Sequence, residues 1–114
     1  MSSVGQTFVI RRKPRSLAFL IEKEGEQVGR VFQLERDVTD LGRDPRNHIV
    51  VSDVLVSGFH ARVERGMDGG FTITDRGSTN GTRLNGEPLN GSRSLSENDE
   101  VGIGNTTLVL KVVS

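Results

Sequence analysis

Three Asn-Gly pairs lie close together in this sequence and restrict its fold more than any other feature. They are Asn80-Gly81, Asn85-Gly86 and Asn90-Gly91. Both residue types tolerate a positive φ angle, so an Asn-Gly pair favours the tight turns that connect antiparallel strands. The chain holds 14 glycines in 114 residues, and no window has a helical period over three turns. These features predict an all-β fold in which the strands between the three pairs are very short.

Short runs of apolar and β-branched residues supply the expected strands. Residues 17–21 are apolar over the length of one strand. Residues 106–113 form a longer run in which Leu108, Leu110 and Val112 share one face. Shorter candidates, most of them alternating between apolar and polar residues, lie at 31–34, 49–51, 61–64 and 71–74. Many short strands separated by turns predict a β-sandwich.

The length fits one domain preceded by a short basic tail. Residues 1–15 end in the cluster Arg11-Arg12-Lys13-Pro14-Arg15. We expect a flexible arm in solvent here, with a contact to an acidic partner or nucleic acid as the alternative. Residues 16–114 form the predicted domain. The chain has 15 basic and 15 acidic residues, and a zero net charge argues against nucleic-acid binding, which usually shows a basic excess.

Composition also indicates the environment of the chain. No apolar run approaches the roughly 18 residues of a membrane helix, and the N-terminus lacks the apolar core of a signal peptide. The sequence has no cysteine, which excludes a disulfide framework and a thiolate metal site. We therefore expect a monomeric cytoplasmic protein that makes no membrane contact and needs no cofactor.

Ser57 and His60 are the residues most suggestive of catalysis. A hydroxyl and an imidazole can act as nucleophile and base if a third group orients the imidazole and an oxyanion hole is present. The Gly-x-Ser-x-Gly nucleophile elbow is absent, and a spacing of three residues in a loop does not fix a Ser-His hydrogen bond. The only other histidine, His48, does not stand at metal-site spacing from His60. We therefore expect no catalytic residue and no metal site.

A second motif, Gly102-Ile103-Gly104-Asn105, also lacks a catalytic or cofactor context. Glycine-rich phosphate loops are followed by a helix, and the nucleoside triphosphate type also needs a lysine. Neither follows these glycines. The motif instead predicts a strand end followed by a turn.

Three segments carry groups that suit an oxyanion. We place them in loops between strands: Leu41-Gly42-Arg43 with residues 47–51, then residues 53–61, then residues 75–82. Together they offer an arginine, several hydroxyls, an asparagine amide and backbone N–H groups exposed at glycines. A guanidinium gives paired charge-assisted hydrogen bonds, and hydroxyls and amides add neutral ones. None of these groups is a strong base poised for proton transfer, so the set predicts a site that holds a phosphate without breaking it.

The order and spacing of these motifs resemble the forkhead-associated (FHA) domain. The matching motifs are Gly42-Arg43, then Ser57-Gly58-Phe59-His60, then Gly77-Ser78-Thr79-Asn80-Gly81-Thr82, and finally Asp99-Glu100-Val101-Gly102-Ile103-Gly104. The similarity spans about residues 16–114. It implies a β-sandwich of about eleven strands with ligand loops at one end. It also implies a non-catalytic module that binds phosphothreonine in a partner protein during signalling.

The resemblance assigns a role to each site residue. Arg43 is expected to pair with the phosphate, Ser57 to donate its hydroxyl, and Thr79 to add a side-chain or backbone contact. Asn80 is expected to bind the peptide main chain beside the phosphothreonine. Gly58 stands where many relatives have a longer side chain, so only its backbone N–H is available here.

The resemblance also implies three supporting residues. His60 is expected to brace Ser57 and the neighbouring turn, and Gly81 to form part of that turn. Gly42 is expected to let the backbone turn so that Arg43 faces the loop end. We expect the carboxylates of Asp53 and Asp75 to cap loop N–H groups and to point away from the phosphate.

Three other functions stay open at this point. A scaffold of the same fold could bind an unphosphorylated protein, although it would not need Arg43, Ser57 and Asn80. A nucleic-acid binder could use the basic tail, although stacking would rest on five phenylalanines. A hydrolase could use Ser57 and His60, and it would turn over an ester substrate in a reaction that Ser57→Ala abolishes.

Overall fold

The computed structural model describes residues 15–113, which form eleven β-strands and no helix. The strands are β1 (Leu17–Glu24), β2 (Val31–Gln33), β3 (Val38–Gly42), β4 (Ile49–Val50), β5 (Ala61–Arg65), β6 (Phe71–Asp75), β7 (Thr82–Leu84), β8 (Glu87–Pro88), β9 (Ser92–Leu95), β10 (Glu100–Ile103) and β11 (Thr106–Val113). The prediction of an all-β fold with about eleven strands is confirmed.

The strands form two sheets that enclose one apolar core. One sheet has the order β2-β1-β11-β10-β7-β8, and the other has the order β4-β3-β5-β6-β9. All pairings are antiparallel except β3 with β4, which pair in parallel with Leu41 opposite Ile49. Alternate residues of each sheet point inward, and those most deeply buried include Leu20, Leu110, Leu41 and Ile73. This arrangement is the predicted β-sandwich.

The six strands expected from the sequence are all present, with ends that differ by at most three residues. The strand end and turn expected at residues 102–105 are also present, because β10 ends at Ile103 and Gly104 has φ +57°. The placement of the three segments in loops was wrong at their edges, where Ile49, Val50, Ala61, Asp75 and Thr82 lie in strands. Leu41 and Gly42 do not lie in a loop but at the end of β3, where the backbone pairs with both β4 and β5. The loop that carries Arg43 therefore begins one residue after a central strand.

The three Asn-Gly pairs are not equivalent. At Asn85-Gly86 both residues have positive φ, 53° and 85°, and the pair closes the hairpin between β7 and β8 with Leu84 opposite Glu87. In the other two pairs only the glycine has a positive φ. The prediction of a tight hairpin turn therefore holds for one pair of the three.

The predicted basic tail, residues 1–15, lies outside the described residues except for Arg15, which pairs with Asp37. Between residues 15 and 113, no helix has the length and apolar character that crossing a membrane requires.

Candidate functional site

The three loops that the sequence singled out meet at one end of the sandwich. The backbone of residues 57–60 runs beside the end of β3, with Arg43 N–H donating to Ser57 O at 3.0 Å and His60 N–H donating to Leu41 O at 2.9 Å. On its other side, Arg76 N–H donates to His60 O at 2.9 Å. Residues 57–60 thus connect the loop after β3 with the loop after β6, and all the predicted site residues lie on these three loops or at the end of β3.

Gly42 supports this junction, but for a different reason from the one expected. Its φ angle is not positive, so the backbone does not require glycine there for its turn. A Cβ atom at residue 42 would instead lie 2.2 Å from the backbone oxygen of Gly58 and 2.8 Å from Asn47 Nδ2. Glycine is therefore required because another backbone segment passes directly over it.

Asn47 begins the segment 47–51 and has a structural role in the site that the sequence did not indicate. Its side chain is buried, and Nδ2 donates to Gly58 O at 2.6 Å and to Asp44 O at 2.8 Å. The amide thus ties the loop that carries Arg43 to the loop that carries Ser57. A polar residue two positions before the β-branched strand β4 was the available signal, but the contact spans eleven residues and could not be inferred from spacing.

His60 lies fully buried beneath the junction. Its Nδ1 accepts a hydrogen bond from Ser57 N–H at 3.0 Å, so Nε2 carries the proton and donates to Gly81 O at 2.8 Å. Gly81 has φ +83°, a conformation that favours glycine. The imidazole therefore connects two loops through their backbones. It makes no hydrogen bond to the Ser57 hydroxyl, which a nucleophile and its base would need.

The Ser57 hydroxyl faces Thr79 instead. Thr79 N–H donates to Ser57 Oγ at 3.0 Å, which occupies a lone pair of the oxygen and leaves the hydroxyl proton free to donate. The Arg43 side chain is exposed and has no hydrogen-bond or ion-pair partner among residues 15–113. The backbone N–H of Gly58 has no partner among the same residues. The Arg43 guanidinium, the Ser57 hydroxyl and the Gly58 N–H are thus three donors without acceptors, on residues that are neighbours in sequence or through a backbone hydrogen bond. Such a set of donors is what an anion site requires.

Asn80 is held at the edge of this donor set. Its Nδ2 donates to Leu55 O at 2.9 Å, two residues before Ser57. The bond fixes the orientation of the amide, and the side-chain oxygen is left to accept a hydrogen bond from a ligand. By contrast, Asn85 binds Asp99 and the backbone of Glu100. The two asparagines therefore differ in their contacts: Asn80 joins two of the site loops, whereas Asn85 bonds to residues at the start of β10.

Asp53 and Asp75 cap loop N–H groups, as expected. Asp53 accepts from Leu55 N–H at 2.9 Å and from Asn105 N–H at 2.6 Å, and these two bonds hold its pKa below the ordinary value. Burial alone would raise the pKa of Asp75. Hydrogen bonds from the Ser78 and Thr82 hydroxyls and from two backbone N–H groups outweigh burial and lower this pKa. Both carboxylates therefore stay ionised and act as structural acceptors inside the loops.

Comparison with known proteins identifies relatives of this chain. The model of the FHA domain family matches residues 39–104. The oxoglutarate dehydrogenase inhibitor of Corynebacterium diphtheriae is 45% identical over 96 residues, which cover 84% of this chain and 66% of that protein. The chain spans between 58% and 66% of the length of the curated relatives that it matches.

Solved structures agree with this family match. The FHA domain of the CT664 protein from Chlamydia trachomatis is 31% identical and superposes with a TM-score of 0.82, covering 87% of this chain and all of that one. The N-terminal FHA domain of S. cerevisiae Rad53p, solved with a phosphothreonine peptide, has a TM-score of 0.76 and covers 84% of this chain and 93% of that one. At 24% identity, this second likeness shows a shared fold alone.

Proposed function

Because this chain belongs to the FHA domain family, we propose that it binds phosphothreonine in partner proteins and so recruits them when they are phosphorylated. The observation that carries the proposal is the Arg43 guanidinium. It is exposed and lacks a partner among residues 15–113, and a 3.0 Å backbone hydrogen bond places Arg43 beside Ser57. An arginine fork matches two phosphate oxygens, and its charge does not titrate away at any physiological pH.

The other donors extend the proposed phosphate contacts. The Ser57 hydroxyl donates to one oxygen, the Gly58 N–H to another, and the Thr79 hydroxyl can reach a third. Asn80 binds the peptide main chain and sets its register. The corynebacterial relative is named an inhibitor, which is in line with a module that acts by binding and not by catalysis.

The proposed contacts predict moderate affinity. A phosphothreonine brings about −1.5 to −2 charges at neutral pH. Three or four charge-assisted hydrogen bonds contribute about 1.5–3 kcal/mol each, before the loss of peptide freedom is subtracted. A net binding free energy of about −8 kcal/mol corresponds to micromolar dissociation, which suits reversible recruitment.

Calorimetric titration with a phosphothreonine peptide and its unphosphorylated counterpart tests the function. We expect binding only of the phosphorylated peptide. Arg43→Ala should weaken it at least about tenfold, because one strong charge-assisted contact is lost. Arg43→Lys should restore only part of the affinity, since an ammonium cannot make the paired contact.

Arg36→Ala is the matched control, because Arg36 is also exposed but precedes β3 at the end away from Arg43. Neither substitution should change the melting temperature appreciably. Equal affinity for both peptides would instead favour a scaffold that binds an unphosphorylated partner. Unchanged affinity in Arg43→Ala would remove this residue from the site.

A further inference from the structure

An exposed aromatic ring lies directly beside the proposed phosphate site. Phe59 follows Gly58, keeps 38% of its surface exposed and does not belong to the apolar core. The guanidinium carbons of Arg46 and Arg76 lie 5.1 Å and 5.7 Å from the centre of the ring. Both distances fall within the range of a cation–π contact. A large aromatic side chain is thus kept at the surface with two positive charges over it.

Aspartates hold both arginines in place. Arg46 donates to Asp44 through Nε and Nη2, each at 3.0 Å. Arg76 donates through Nη1 to Asp40 at 3.3 Å, and Asp40 also accepts from Arg62 at 2.7 Å. These bonds and the contacts with the ring restrict the side chains before any ligand arrives. A ligand therefore meets guanidinium groups that the aspartates and the ring already orient.

Part of each guanidinium is left for a ligand. Among the described residues, Nη1 of Arg46 and both Nε and Nη2 of Arg76 have no hydrogen-bond partner. The three arginines 46, 62 and 76 outnumber the two aspartates 40 and 44, so the cluster has a formal charge of +1 without Arg43. The unpaired donors and the positive charge both favour an anionic ligand group, and a carboxylate fits the guanidinium fork.

The cluster is continuous with the phosphate site through the backbone. Asp44 N–H donates to Gly58 O at 3.1 Å, and Arg76 N–H donates to the oxygen of His60 at 2.9 Å. Along the loop, Ser57 lies between Leu55, which Asn80 holds, and Phe59. A peptide anchored at Ser57 and Asn80 therefore has the phenylalanine and its two arginines on the far side of the phosphate from Leu55.

We propose that Arg46, Phe59 and Arg76 form a second contact area that accepts an acidic side chain on one side of the phosphothreonine in the bound peptide. This inference rests on the proposed function and adds a sequence preference to it. The carboxylate pairs with the free guanidinium edges, and the aliphatic part of its side chain packs on the exposed ring of Phe59. Exposed ion pairs contribute little individually, so the preference for an acidic peptide over a neutral one is roughly threefold to tenfold.

Four phosphothreonine peptides test the inference. Two carry three glutamates either before or after the phosphothreonine, and two carry glutamines at the same positions. Fluorescence anisotropy gives the ratio of acidic to neutral affinity on each side. We expect the wild-type protein to bind the glutamate peptide roughly threefold to tenfold more tightly than the glutamine peptide on one side of the phosphothreonine. On the other side, the two peptides should bind with nearly equal affinity.

Two variants remove the contact area in different ways. Asp44→Asn combined with Arg46→Gln removes an ion pair without changing net charge, so a loss of preference cannot come from the long-range field. Arg76→Gln removes the second guanidinium while Asp40 keeps its pair with Arg62. Each should lower the acidic-to-neutral ratio at least about twofold, because one of the two guanidinium groups is lost, whereas Arg36→Gln should keep the wild-type ratio.

The outcomes separate the inference from the function on which it rests. If the calorimetric titration shows no better binding of the phosphorylated peptide than of its unphosphorylated counterpart, the proposed function fails. If phosphopeptides bind but acidic and neutral peptides are equal on both sides, only the contact area is refuted. A preference that persists in both variants, or that Arg36→Gln also abolishes, refutes the contact area as well, since the preference then arises elsewhere.

Discussion

Replacing Gly42 with alanine tests how the site is assembled. The added Cβ atom would lie 2.2 Å from the Gly58 oxygen and 2.9 Å from its carbonyl carbon. Non-bonded heavy atoms prefer roughly 3.5 Å or more, so the two backbone segments must separate by about 1 Å. Arg43 lies on one of these segments and Ser57 on the other. The substitution should therefore separate the two proposed phosphate ligands without touching either side chain.

The expected loss of stability follows from the bonds across this junction. Separation weakens Arg43 N–H to Ser57 O at 3.0 Å, Asp44 N–H to Gly58 O at 3.1 Å, and Asn47 Nδ2 to Gly58 O at 2.6 Å. Each contributes about 0.5–1.5 kcal/mol, and the gain from a less flexible unfolded chain returns about 0.4–1 kcal/mol. The net destabilisation is about 2–3 kcal/mol, or about 10 °C in melting temperature for a domain of this size.

Gly58→Ala is the matched control, because it places the same methyl group on the opposite segment. A Cβ atom there would meet only Asp44 Cβ, at 4.0 Å, and its φ angle is not positive. Its stability should change by no more than about 0.5 kcal/mol. Thermal unfolding and phosphopeptide titration of both variants provide the measurement. A Gly42→Ala variant that melts like Gly58→Ala and binds like the wild type would show that the close approach of the two backbones is not what requires glycine.

Two further substitutions probe the supporting residues. His60→Ala leaves Ser57 N–H and Gly81 O without their buried partner, so urea unfolding should show a loss of about 3 kcal/mol, with weaker phosphopeptide binding. Wild-type stability combined with lost binding would instead mean that His60 contacts the ligand. Asp75→Asn should be less stable than wild type at pH 7. Because the pKa of folded Asp75 is depressed, its contribution is present above about pH 3.9 and lost as the pH falls through the folded pKa. Urea unfolding should show that the difference in free energy of unfolding between wild type and Asp75→Asn narrows from pH 7 to pH 3. A difference that stays constant over this range would contradict this role.

The sequence predicted best those strands whose own residues carry the signal. The apolar or β-branched runs of β1 and β11 were visible before the structure. In β11, Leu108 and Leu110 are buried on the face that the sequence predicted, whereas the alternating burial along the wholly apolar residues 17–21 of β1 was not visible. β3 was missed, because Asp40 interrupts its apolar pattern and Gly42 suggested a turn. Its strand state depends on partners distant in sequence, β4 on one side and β5 on the other. β9 was missed for a similar reason, since only Leu95 of its four residues is buried.

The predicted site residues came from motif order, whereas the contacts among them did not. Resemblance supplied Arg43, Ser57 and Asn80, and their roles in ligand binding stay predictions. Asn47 and Phe59 contact residues of other loops, and spacing along the chain cannot indicate such contacts. Gly42 was assigned a supporting role on conformational grounds, but its requirement for glycine arises from the backbone that crosses it. Motif order therefore predicted the candidate site, and only packing explained why Gly42 and Asn47 stand there.

The charges at the loop end explain why a protein of zero net charge can offer an anion site. Asp44 and Asp53 lie on the site loops and Asp75 at the end of β6, and the pKa of each carboxyl is lowered. Hydrogen bonds from Arg46 bring the pKa of Asp44 to about 2. Each carboxylate accepts hydrogen bonds from loop N–H groups, hydroxyls or Arg46, so its charge is used in holding the loops together. Arg43 has no such partner between residues 15 and 113. Anion binding then depends on which charge is left uncompensated at the surface, and a sum over the sequence cannot reveal that.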